Sequence, residues 1–394
     1  MMTFVLVVTL LCLAVPIYVY AGYPALLWLF TLRPDGAVFG RVPAEASPSV
    51  TLIVSCYNEA GVIGQKLENA LALDYPKGRL SIMVVSDGSD DGTDELVRAY
   101  EPQGVCLIRQ EVRQGKTMGL NLALAEVSSD LVVFSDANAM YAPDAITRLV
   151  RHFSDPNVGY VVGAALYTDA TEGASAAAEN RYWRYEIAIK QMESRLHSVV
   201  GGDGAIYAIR RALWQPLLAT DINDFVNPLQ IVARGYRGVF DPEARCFEET
   251  AGDFSREAAR KERIVNRSIR GLMRVKSAMN PWKTGIFAWQ LVSHKLLRWL
   301  IPLFLLIAGA GSVVLAWAGY SLFQAVTAAI VVVLALALVG HLAGDRNRLP
   351  TVVSVPYYFV MVNLFALRGI VRALRGQTQI TWQTARPAQR REQG

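Results

Sequence analysis

The feature that most constrains this chain is a long apolar run near its beginning. Residues 4–32 contain no charged side chain, and about 20 apolar residues in a helix are enough to cross a hydrocarbon core of about 30 Å. The run is too long for a secretory signal peptide, it lacks a basic start, and no small-residue cleavage site follows it. We therefore expect residues 1–32 to form a retained membrane anchor.

Further apolar segments lie toward the other end of the chain, at 300–318, 322–342 and 352–367. They help to explain a hydrophobic fraction of 53%, which is high for a soluble protein. We expect amphipathic interface helices at 256–297, transmembrane segments at 298–371 and a basic cytoplasmic tail at 372–394. The catalytic or binding functions would then fall to a domain at 45–255.

The charges near these segments give conflicting indications of topology. Arginines follow the anchor and the second late segment, at positions 33, 41, 346 and 348. Basic loops tend to stay in the cytoplasm, which would place these four arginines there. Three complete crossings by the C-terminal apolar segments would then leave the basic residues of 368–391 outside the cytoplasm, against this tendency. Either the segment 352–367, which contains Pro356, is re-entrant, or the tendency fails here. The sequence leaves both alternatives open.

Residues 45–255 alternate between apolar runs and segments with helical spacing. The runs predict strands at 50–55, 80–85, 105–108 and 131–134. Apolar residues recur at helical spacing between them, and Asp91 or Thr93 can cap the second helix. Such alternation predicts a parallel, doubly wound sheet, whose ligands gather at the carboxyl ends of the strands.

Polar residues follow three of these strands at the point where each one ends. The segments are 56–59 (CYNE), 86–89 (SDGS) and 135–138 (SDAN). One such segment is ordinary turn chemistry, with Asp136 or Asn138 capping the next helix. Three together at one sheet edge predict a site, and oxygen donors suit a divalent cation.

Several other classes of site are excluded or disfavoured. No GxGxxG follows the first strand, and Gln110 stands where a phosphate loop needs its first glycine. Lys and Arg are not interleaved with aromatic residues, so we expect no nucleic-acid partner. The four His are isolated, and the four Cys form no CxxC pair and are expected to be reduced core thiols. An acidic strand edge with Lys116 nearby remains, and it suits a metal-bridged diphosphate.

Motifs in a fixed order connect the chain to one family. They are "SCYNEAGVI", "VVSDGSDDGT", "RQGKTMGLN", "VFSDANA", "GGDGAIYAIRR", "INDFVNPLQIVARGYRGVFDPEARCFEET", "RKERI" and "ITWQTARP". The chain thereby resembles, over nearly its whole length, a membrane-embedded family 2 glycosyltransferase of the hyaluronan, chitin, cellulose and poly-N-acetylglucosamine synthase group. The resemblance implies an α/β GT-A domain, with a doubly wound, mostly parallel sheet, between N-terminal and C-terminal transmembrane helices.

The resemblance assigns a nucleotide-sugar donor to the strand ends. Tyr57 would pack on the uracil face and Glu59 would reach the ribose, although Asn-Glu also starts helices. Asp87 would accept a hydrogen bond from uracil; the alternative is a turn residue. Lys116 would contact the nucleotide, since a lone lysine at a helix start is poorly placed against the helix dipole.

The resemblance also implies a metal ion. Asp136 resembles the first Asp of a DxD motif that binds Mg²⁺ or Mn²⁺ bridging the donor diphosphate. Asn138 replaces the second Asp, so it could still coordinate through its amide oxygen but without a charge. One firm carboxylate ligand suffices for Mg²⁺ that also binds phosphates and water.

The acceptor side is expected in the later motifs. Asp224 resembles the general base, with Asp221 as a possible substitute and helix capping as a compatible alternative role. Asp203 and Gly204 resemble the acceptor-binding segment, for which a plain turn is the alternative. Ile264 stands where processive synthases carry the tryptophan that stacks on the acceptor.

Two more elements complete the resemblance. Arg263 would hold the diphosphate as a planar fork, and an amphipathic basic helix on the membrane surface is a compatible reading of 256–276. Trp382 and Arg386 resemble a W-x-T-x-R element near the active site.

These residues imply an inverting transferase that moves a sugar from a UDP-sugar to a growing β-linked glycan at the inner face of a bacterial-type membrane, and delivers it through its own helices. The alternative is a single addition to a lipid carrier or lipid-linked acceptor. A transporter or scaffold that binds nucleotide without turnover is the rival from another class.

Overall fold

The computed structural model describes residues 1–32, 47–167, 174–248, 254–343 and 349–378. Contacts divide the chain into two compact units. The helical unit contains Met1–Leu29, Asp253–Ile269 and Leu291–Thr378. The sheet unit contains Phe30–Gly252 and Arg270–Gln290.

Eight strands form one sheet within the described residues. They are β1 (Val50–Cys56), β2 (Leu80–Ser86), β3 (Val105–Arg109), β4 (Leu131–Asp136), β5 (Met140–Tyr141), β6 (Val158–Tyr167), β7 (Tyr207–Arg210) and β8 (Arg237–Glu248). Their spatial order is β3-β2-β1-β4-β7-β6-β8-β5.

The sheet has a parallel half and a mixed half. β1 pairs in parallel with both β2 and β4, and β3 pairs in parallel with β2. β7 then runs antiparallel to both β4 and β6, whereas β6 and β8 are parallel and β5 is antiparallel to β8. The expected GT-A sheet is confirmed, and its four predicted strands are the parallel half.

Three of the four predicted strands, β1, β2 and β4, are largely buried because helices cover the sheet. All seven residues of β1 are buried, which accords with its near-continuous apolar sequence. Val54, Val133 and Ala208 belong to one core cluster that runs from β1 across β4 to β7. Cys106 is exposed, so its assignment to the core was wrong, because β3 is an edge strand.

The α-helices within the described residues belong to one unit or the other, except that α2, α9 and α11 have residues in both. They are α1 (Met2–Ile17), α2 (Tyr23–Phe30), α3 (Ile63–Leu71), α4 (Thr93–Arg98), α5 (Lys116–Glu126), α6 (Ala145–Val150), α7 (Ala174–Leu196), α8 (Asn223–Val232), α9 (Phe254–Arg274), α10 (Pro281–Thr284), α11 (Ile286–Leu291), α12 (Leu297–Trp317), α13 (Ser321–Leu342) and α14 (Thr351–Leu374). π-helical turns at Tyr18–Gly22 and Val292–Leu296 make Met2–Phe30 and Ile286–Trp317 continuous.

In the part of the chain that the structure describes, four helical stretches are long and apolar enough to cross a membrane. They are Met2–Phe30, Ile286–Trp317, Ser321–Leu342 and Thr351–Leu374. Inside the helical unit, the first two pack antiparallel: Thr9 lies against Gly311, and the Tyr18 hydroxyl is 2.8 Å from Ser293 Oγ. Glycine at 311 is required because a Cβ there would collide with the Thr9 side chain.

Candidate active site

The polar ends of β1, β2 and β4 lie beside one another, as predicted. In the sheet order β2-β1-β4 these strands are direct neighbours, and Cys56 pairs with Ser86 while Ser55 pairs with Asp136. Their parallel direction brings all three carboxyl ends to one edge. The site is therefore built from the loops that leave this edge.

The two carboxylate oxygens of Asp87, at the end of β2, differ in their hydrogen bonding. Its Oδ1 accepts hydrogen bonds from Gln110 Nε2 at 2.7 Å and from the backbone N–H groups of Gln114 and Gly115 at 2.9 Å each. Oδ2 is buried and accepts no hydrogen bond from the described residues; its nearest cation is Arg113 Nε at 3.6 Å. A buried carboxylate oxygen of this kind can accept one N–H from a ligand.

Arg113 contacts two of the candidate site residues, and the sequence interpretation missed it. Its guanidinium carbon lies 3.5 Å from the centre of the Tyr57 ring, in a cation–π contact. The same side chain faces Asp87. Tyr57, Asp87 and Arg113 therefore converge in one place, and the only sequence signal was a basic residue in the loop before Lys116.

The loops after β1 and β2 are tied together by short polar side chains. Asn58, which has a φ of 53°, donates from its amide to Asp90 Oδ1 at 2.7 Å. Asp91 accepts from the backbone N–H groups of Ala60 and Thr93, each at 3.0 Å. Asp90 and Asp91 thus hold the loops in place, and the backbone N–H of Glu59 donates to Thr93 Oγ1.

Lys116, Asp136 and Asp224 meet around Gly204. Lys116 Nζ donates to Asp136 Oδ1 at 2.5 Å. A Cβ placed on Gly204 would lie 3.4 Å from Asp224 Oδ2 and 3.6 Å from both Asp136 Oδ2 and Lys116 Nζ. The glycine therefore leaves open the small space between one cation and two carboxylates.

The electrostatics of this cluster favour a proton-accepting carboxylate. Burial raises the pKa of Asp224 above its usual range; the carboxylates of Asp203 and Asp136 add to the rise, and Lys116 opposes it. The pKa of Lys116 is also raised: burial opposes the rise, and the contact with Asp136 outweighs burial. A carboxylate with a raised pKa is a better general base than an ordinary surface Asp.

Asp224 is positioned by the glycine-rich segment that follows α7. The backbone N–H of Gly202 donates to Asp224 O at 2.5 Å, and a Cβ on Gly202 would approach that carbonyl to 2.9 Å. Gly201 has a φ of +83°, which few residues other than glycine adopt. Asn223 points into the core, where its amide donates to the Tyr207 hydroxyl at 3.0 Å.

Asp221 has a structural role in this region. Its carboxylate is buried, binds Arg274 and accepts the backbone N–H of Leu218 at 2.8 Å. Its carbonyl accepts from Thr117 Oγ1 at 2.9 Å. These contacts fix the start of α5, next to Lys116, to the segment before Asp224, and they argue against Asp221 as a substitute base.

Asp203 lies beside the cluster and is paired. Lys190 Nζ on α7 lies 3.2 Å from Asp203 Oδ2. The pair places a partly exposed polar group next to Gly204.

The loop that carries Asp136 and Asn138 is held from behind by α3. Lys66, which is fully buried, donates to the carbonyl of Ala139 and lies over the Tyr141 ring at 4.1 Å. Burial lowers the pKa of Lys66 to about 7. Asn69 makes a two-way hydrogen bond with the Tyr141 backbone, at 2.8 and 2.9 Å.

The oxygen donors at this edge fit a cation that is bound together with a diphosphate. The Asp136 side chain is 40% exposed, and half-buried Asn138 follows two residues later. Among the described residues, no group of three or more His, Cys, Asp or Glu could hold a metal ion. Mg²⁺ takes one or two carboxylates and completes its coordination with phosphate and water. The residues present suit that arrangement and do not suit a metal held by protein alone.

Four further predicted site residues belong to the helical unit or are not described by the structure. Arg263 and Ile264 are on α9 in the helical unit, and their roles toward donor and acceptor stay predictions. Trp382 and Arg386 lie outside the described residues.

The sheet order and the acidic edge define a GT-A glycosyltransferase fold. A solved structure with this fold, a mannosyltransferase from Pyrobaculum calidifontis in complex with GDP-Man and Mn²⁺, superposes with a TM-score of 0.69. The match covers 93% of this chain and 99% of the other, at 22% identity. At that identity the likeness shows the fold.

The sequence comparison makes the assignment more specific. Residues 51–215 match the model of glycosyl transferase family 2, so the family assignment applies to this part of the chain. The match spans the predicted donor-binding residues from Tyr57 to Asp136 and the Asp203-Gly204 segment, whereas Asp224 and Arg263 lie outside it.

Two curated relatives are informative. A poly-beta-1,6-N-acetyl-D-glucosamine synthase of Staphylococcus aureus is 26% identical over 222 residues, which is 54% of this chain and 53% of the relative. A beta-monoglucosyldiacylglycerol synthase of Synechocystis is 30% identical over 203 residues, covering 47% of this chain and 40% of the relative. The matches thus span about half the length of these relatives or less.

Proposed function

We propose that this protein transfers a sugar from a UDP-sugar to an acceptor hydroxyl with inversion, at the cytoplasmic face of the membrane. The observation that carries the proposal is the meeting of Lys116, Asp136 and Asp224 around Gly204. The leaving diphosphate needs a cation and a metal-binding carboxylate, which Lys116 and Asp136 would supply. The attacking hydroxyl needs a general base, which Asp224 would supply.

The donor half of the proposal rests on Asp87. Uracil carries one imide N–H, and the buried Oδ2 of Asp87 is an acceptor of the right kind beside the Tyr57 ring. Guanine also carries an N–H that a carboxylate can accept, so the choice of UDP over GDP is part of the proposal. The Pyrobaculum structure contains GDP-Man, which makes GDP the necessary comparison.

The diphosphate would lie between Lys116 and Asp136. Asp136, with Asn138 as an uncharged second ligand, would hold Mg²⁺ or Mn²⁺, which when bound supplies neutralisation of charge on the leaving group. Lys116 would turn from Asp136 toward a phosphate oxygen, since its ammonium can serve either anion. Because the leaving group is neutralised in this way, the chain needs no acid catalyst.

Asp224 would act as general base from the opposite side. It would take the proton of the acceptor hydroxyl as that oxygen forms a bond to the anomeric carbon, and the bond from that carbon to the diphosphate oxygen would break. One displacement on an α-linked donor gives a β-linkage. Asp203, held by Lys190, would orient the acceptor next to Gly204.

The acceptor has two candidates. One curated relative is named for a polymer and the other for a glycolipid, and each supports one alternative. We favour the growing β-linked glycan, and Ile264 in place of a stacking tryptophan is the observation that favours a single addition to a lipid acceptor.

Purified full-length protein incubated with UDP-sugars and GDP-sugars, each with Mg²⁺ or Mn²⁺, tests the proposal. We expect nucleotide release with one or a few UDP-sugars and a product whose mass has grown by sugar units. Release with GDP-sugars alone would overturn the donor assignment, and no release from any donor would favour a binding protein without turnover. Product mass separates one addition from many.

A further inference from the structure

α14 qualifies as a membrane span by length and composition, yet it differs from the other candidates. It is the least apolar of the four stretches. Its contacts inside the helical unit show how it lies relative to α12 and α13.

The beginning of α14 packs near the end of α13. A Cβ on Gly340 would lie 2.8 Å from Tyr357 Cβ and 3.3 Å from a methyl group of Val353, so glycine permits close contact here. Gly340 lies 19 residues after Ser321, where α13 begins. At a rise of about 1.5 Å per residue, this contact is about 28 Å from the α12–α13 turn.

The far end of α14 lies at a similar distance from the α12–α13 turn, measured along α12. Ala366 and Ile370 form a cluster with Val265 of α9, and Trp299, Leu300 and Leu303 of α12 pack against it. These α12 residues precede Trp317, where the turn begins, by 14 to 18 residues, which corresponds to about 21 to 27 Å. If α14 instead ran antiparallel to α13, Ile370 would lie about 9 Å from the α12–α13 turn, because Ile370 is 13 residues beyond Tyr357 in the direction of that turn.

One short stretch of α9 contacts α14 along most of its length. Lys261 Nζ donates to the Tyr358 hydroxyl at 2.8 Å, and Arg372 pairs with Glu262 at 2.6 Å. Asn266 donates to the carbonyls of Gly369 and Gln377. α9 is too rich in charge to enter a hydrocarbon core, so these contacts keep α14 at the level of the polar surface.

The side chains of α14 are arranged for a surface position. At 100° per residue, Ser354, Arg368, Arg372 and Arg375 fall on one side of the helix. Val352, Phe359 and Leu374 fall on the other side and are exposed. Ile370, which packs against α9 and α12, and Asn363 also lie on that side. This pattern suits a helix whose apolar side enters the headgroup boundary while its arginines face phosphates or water.

We infer that α14 binds one leaflet as an in-plane helix, so that the chain crosses the bilayer three times and Gln377 ends on the side where α9 lies. The occupant of its apolar face is the acyl boundary of that leaflet. This arrangement removes the conflict with the positive-inside tendency, because the arginines of α14 need not be exported.

Depth measurements on the full chain test the inference. In a Cys106→Ser background, nitroxide labels at Leu364→Cys in the middle of α14 and at Leu334→Cys in the middle of α13 are compared in phosphatidylethanolamine–phosphatidylglycerol vesicles. Both positions are about half exposed. We expect a shallow label on α14 and a deep label on α13; equal depth near the bilayer centre would overturn the inference.

Sidedness provides a second and independent measurement. Gln377→Cys, Arg260→Cys on α9 and Ser321→Cys at the start of α13 are labelled with an impermeant maleimide in sealed vesicles of defined orientation. We expect Gln377→Cys to react from the same side as Arg260→Cys and from the side opposite to Ser321→Cys. Reaction of Gln377→Cys from the side of Ser321→Cys would establish a fourth crossing.

Discussion

Lys116 Nζ donates a 2.5 Å hydrogen bond to Asp136 Oδ1, so the cation and the carboxylate assigned to the diphosphate already contact each other. Donor binding would replace this internal pair with two contacts to the ligand: lysine to phosphate, and carboxylate to a divalent ion. Donor binding has to separate Lys116 from Asp136, so a substitution of either residue is expected to change donor affinity.

Asp136→Ala is expected to remove the dependence of donor affinity on metal. Without the carboxylate, Mn²⁺ should no longer strengthen UDP binding measured by calorimetry, whereas metal-free binding should persist because Lys116 is released. The matched control is Asp144→Asn, which removes an exposed carboxylate paired with Arg148. A normal Mn²⁺ effect in Asp136→Ala would exclude this residue as a ligand.

Asp224→Asn is expected to lower kcat by about 10² to 10⁴, the usual contribution of a general base, with donor affinity near that of the wild type. The measurement is steady-state UDP release together with calorimetric UDP binding. Retained turnover would reject Asp224 as the base.

The pH profile of the wild type gives a further check on Asp224. Only the deprotonated carboxylate accepts a proton, and burial raises its pKa above the ordinary 3.8. Activity should therefore rise with pH through a midpoint above 3.8, as measured by kcat/KM from acid to neutral pH. A midpoint at or below 3.8 would contradict the assignment.

Asp87→Asn is expected to change nucleotide preference. The amide would present N–H where Oδ2 now accepts, so UDP affinity should fall by about 10- to 100-fold, as for the loss of a hydrogen bond to a charged group. Cytosine offers an acceptor at the equivalent ring position, so CDP should gain affinity relative to the wild type. Unchanged UDP and CDP affinities would place the base elsewhere.

Gly204→Ala is expected to fold normally and to lose turnover. The new methyl group would contact Asp224, Asp136 and Lys116 at 3.4 to 3.6 Å without overlap, but it would fill the space between them. A displacement of reacting groups by about 1 Å costs about 10²-fold. Gly64→Ala, where the added methyl meets only the Tyr100 hydroxyl at 3.9 Å, should keep its activity.

Lys66→Met is expected to alter the pH dependence of stability. The pKa of Lys66 is about 7 in the folded protein and 10.5 when unperturbed, so the unfolded chain binds more protons between these values and stability rises with pH there. The variant should lose this part of the slope and melt at a higher temperature at pH 7. Lys77 is exposed, so Lys77→Met should retain the dependence of stability on pH. An unchanged dependence in Lys66→Met would refute the lowered pKa of the buried Lys66 amine.

The parallel half of the sheet and its acidic edge could be predicted because each depends on local sequence. Apolar runs such as Val50–Cys56 identify buried strands, and the polar residues that follow them identify the edge. β7, by contrast, has only four residues, and β8 mixes charged and apolar side chains over twelve. Neither has a pattern that predicts an antiparallel partner for β4.

The contacts of Arg113 and Lys66 could not be predicted for a different reason. Each joins loops or elements that are distant in sequence, and composition does not reveal which loops meet. The orientation of α14 is a similar case, since an apolar segment of 24 residues suits either a span or a surface helix until its neighbours are known.

The Tyr141 hydroxyl contacts two carbonyls, those of Phe134 on β4 and Ala205 beside Gly204, each at 3.0 Å. One phenol thereby connects the strand that ends in Asp136 with the loop that we assign to the acceptor. An altered sequence in this loop would have to preserve the contact with the Tyr141 hydroxyl. Without that contact, the donor at Asp136 and the acceptor would no longer be held in alignment.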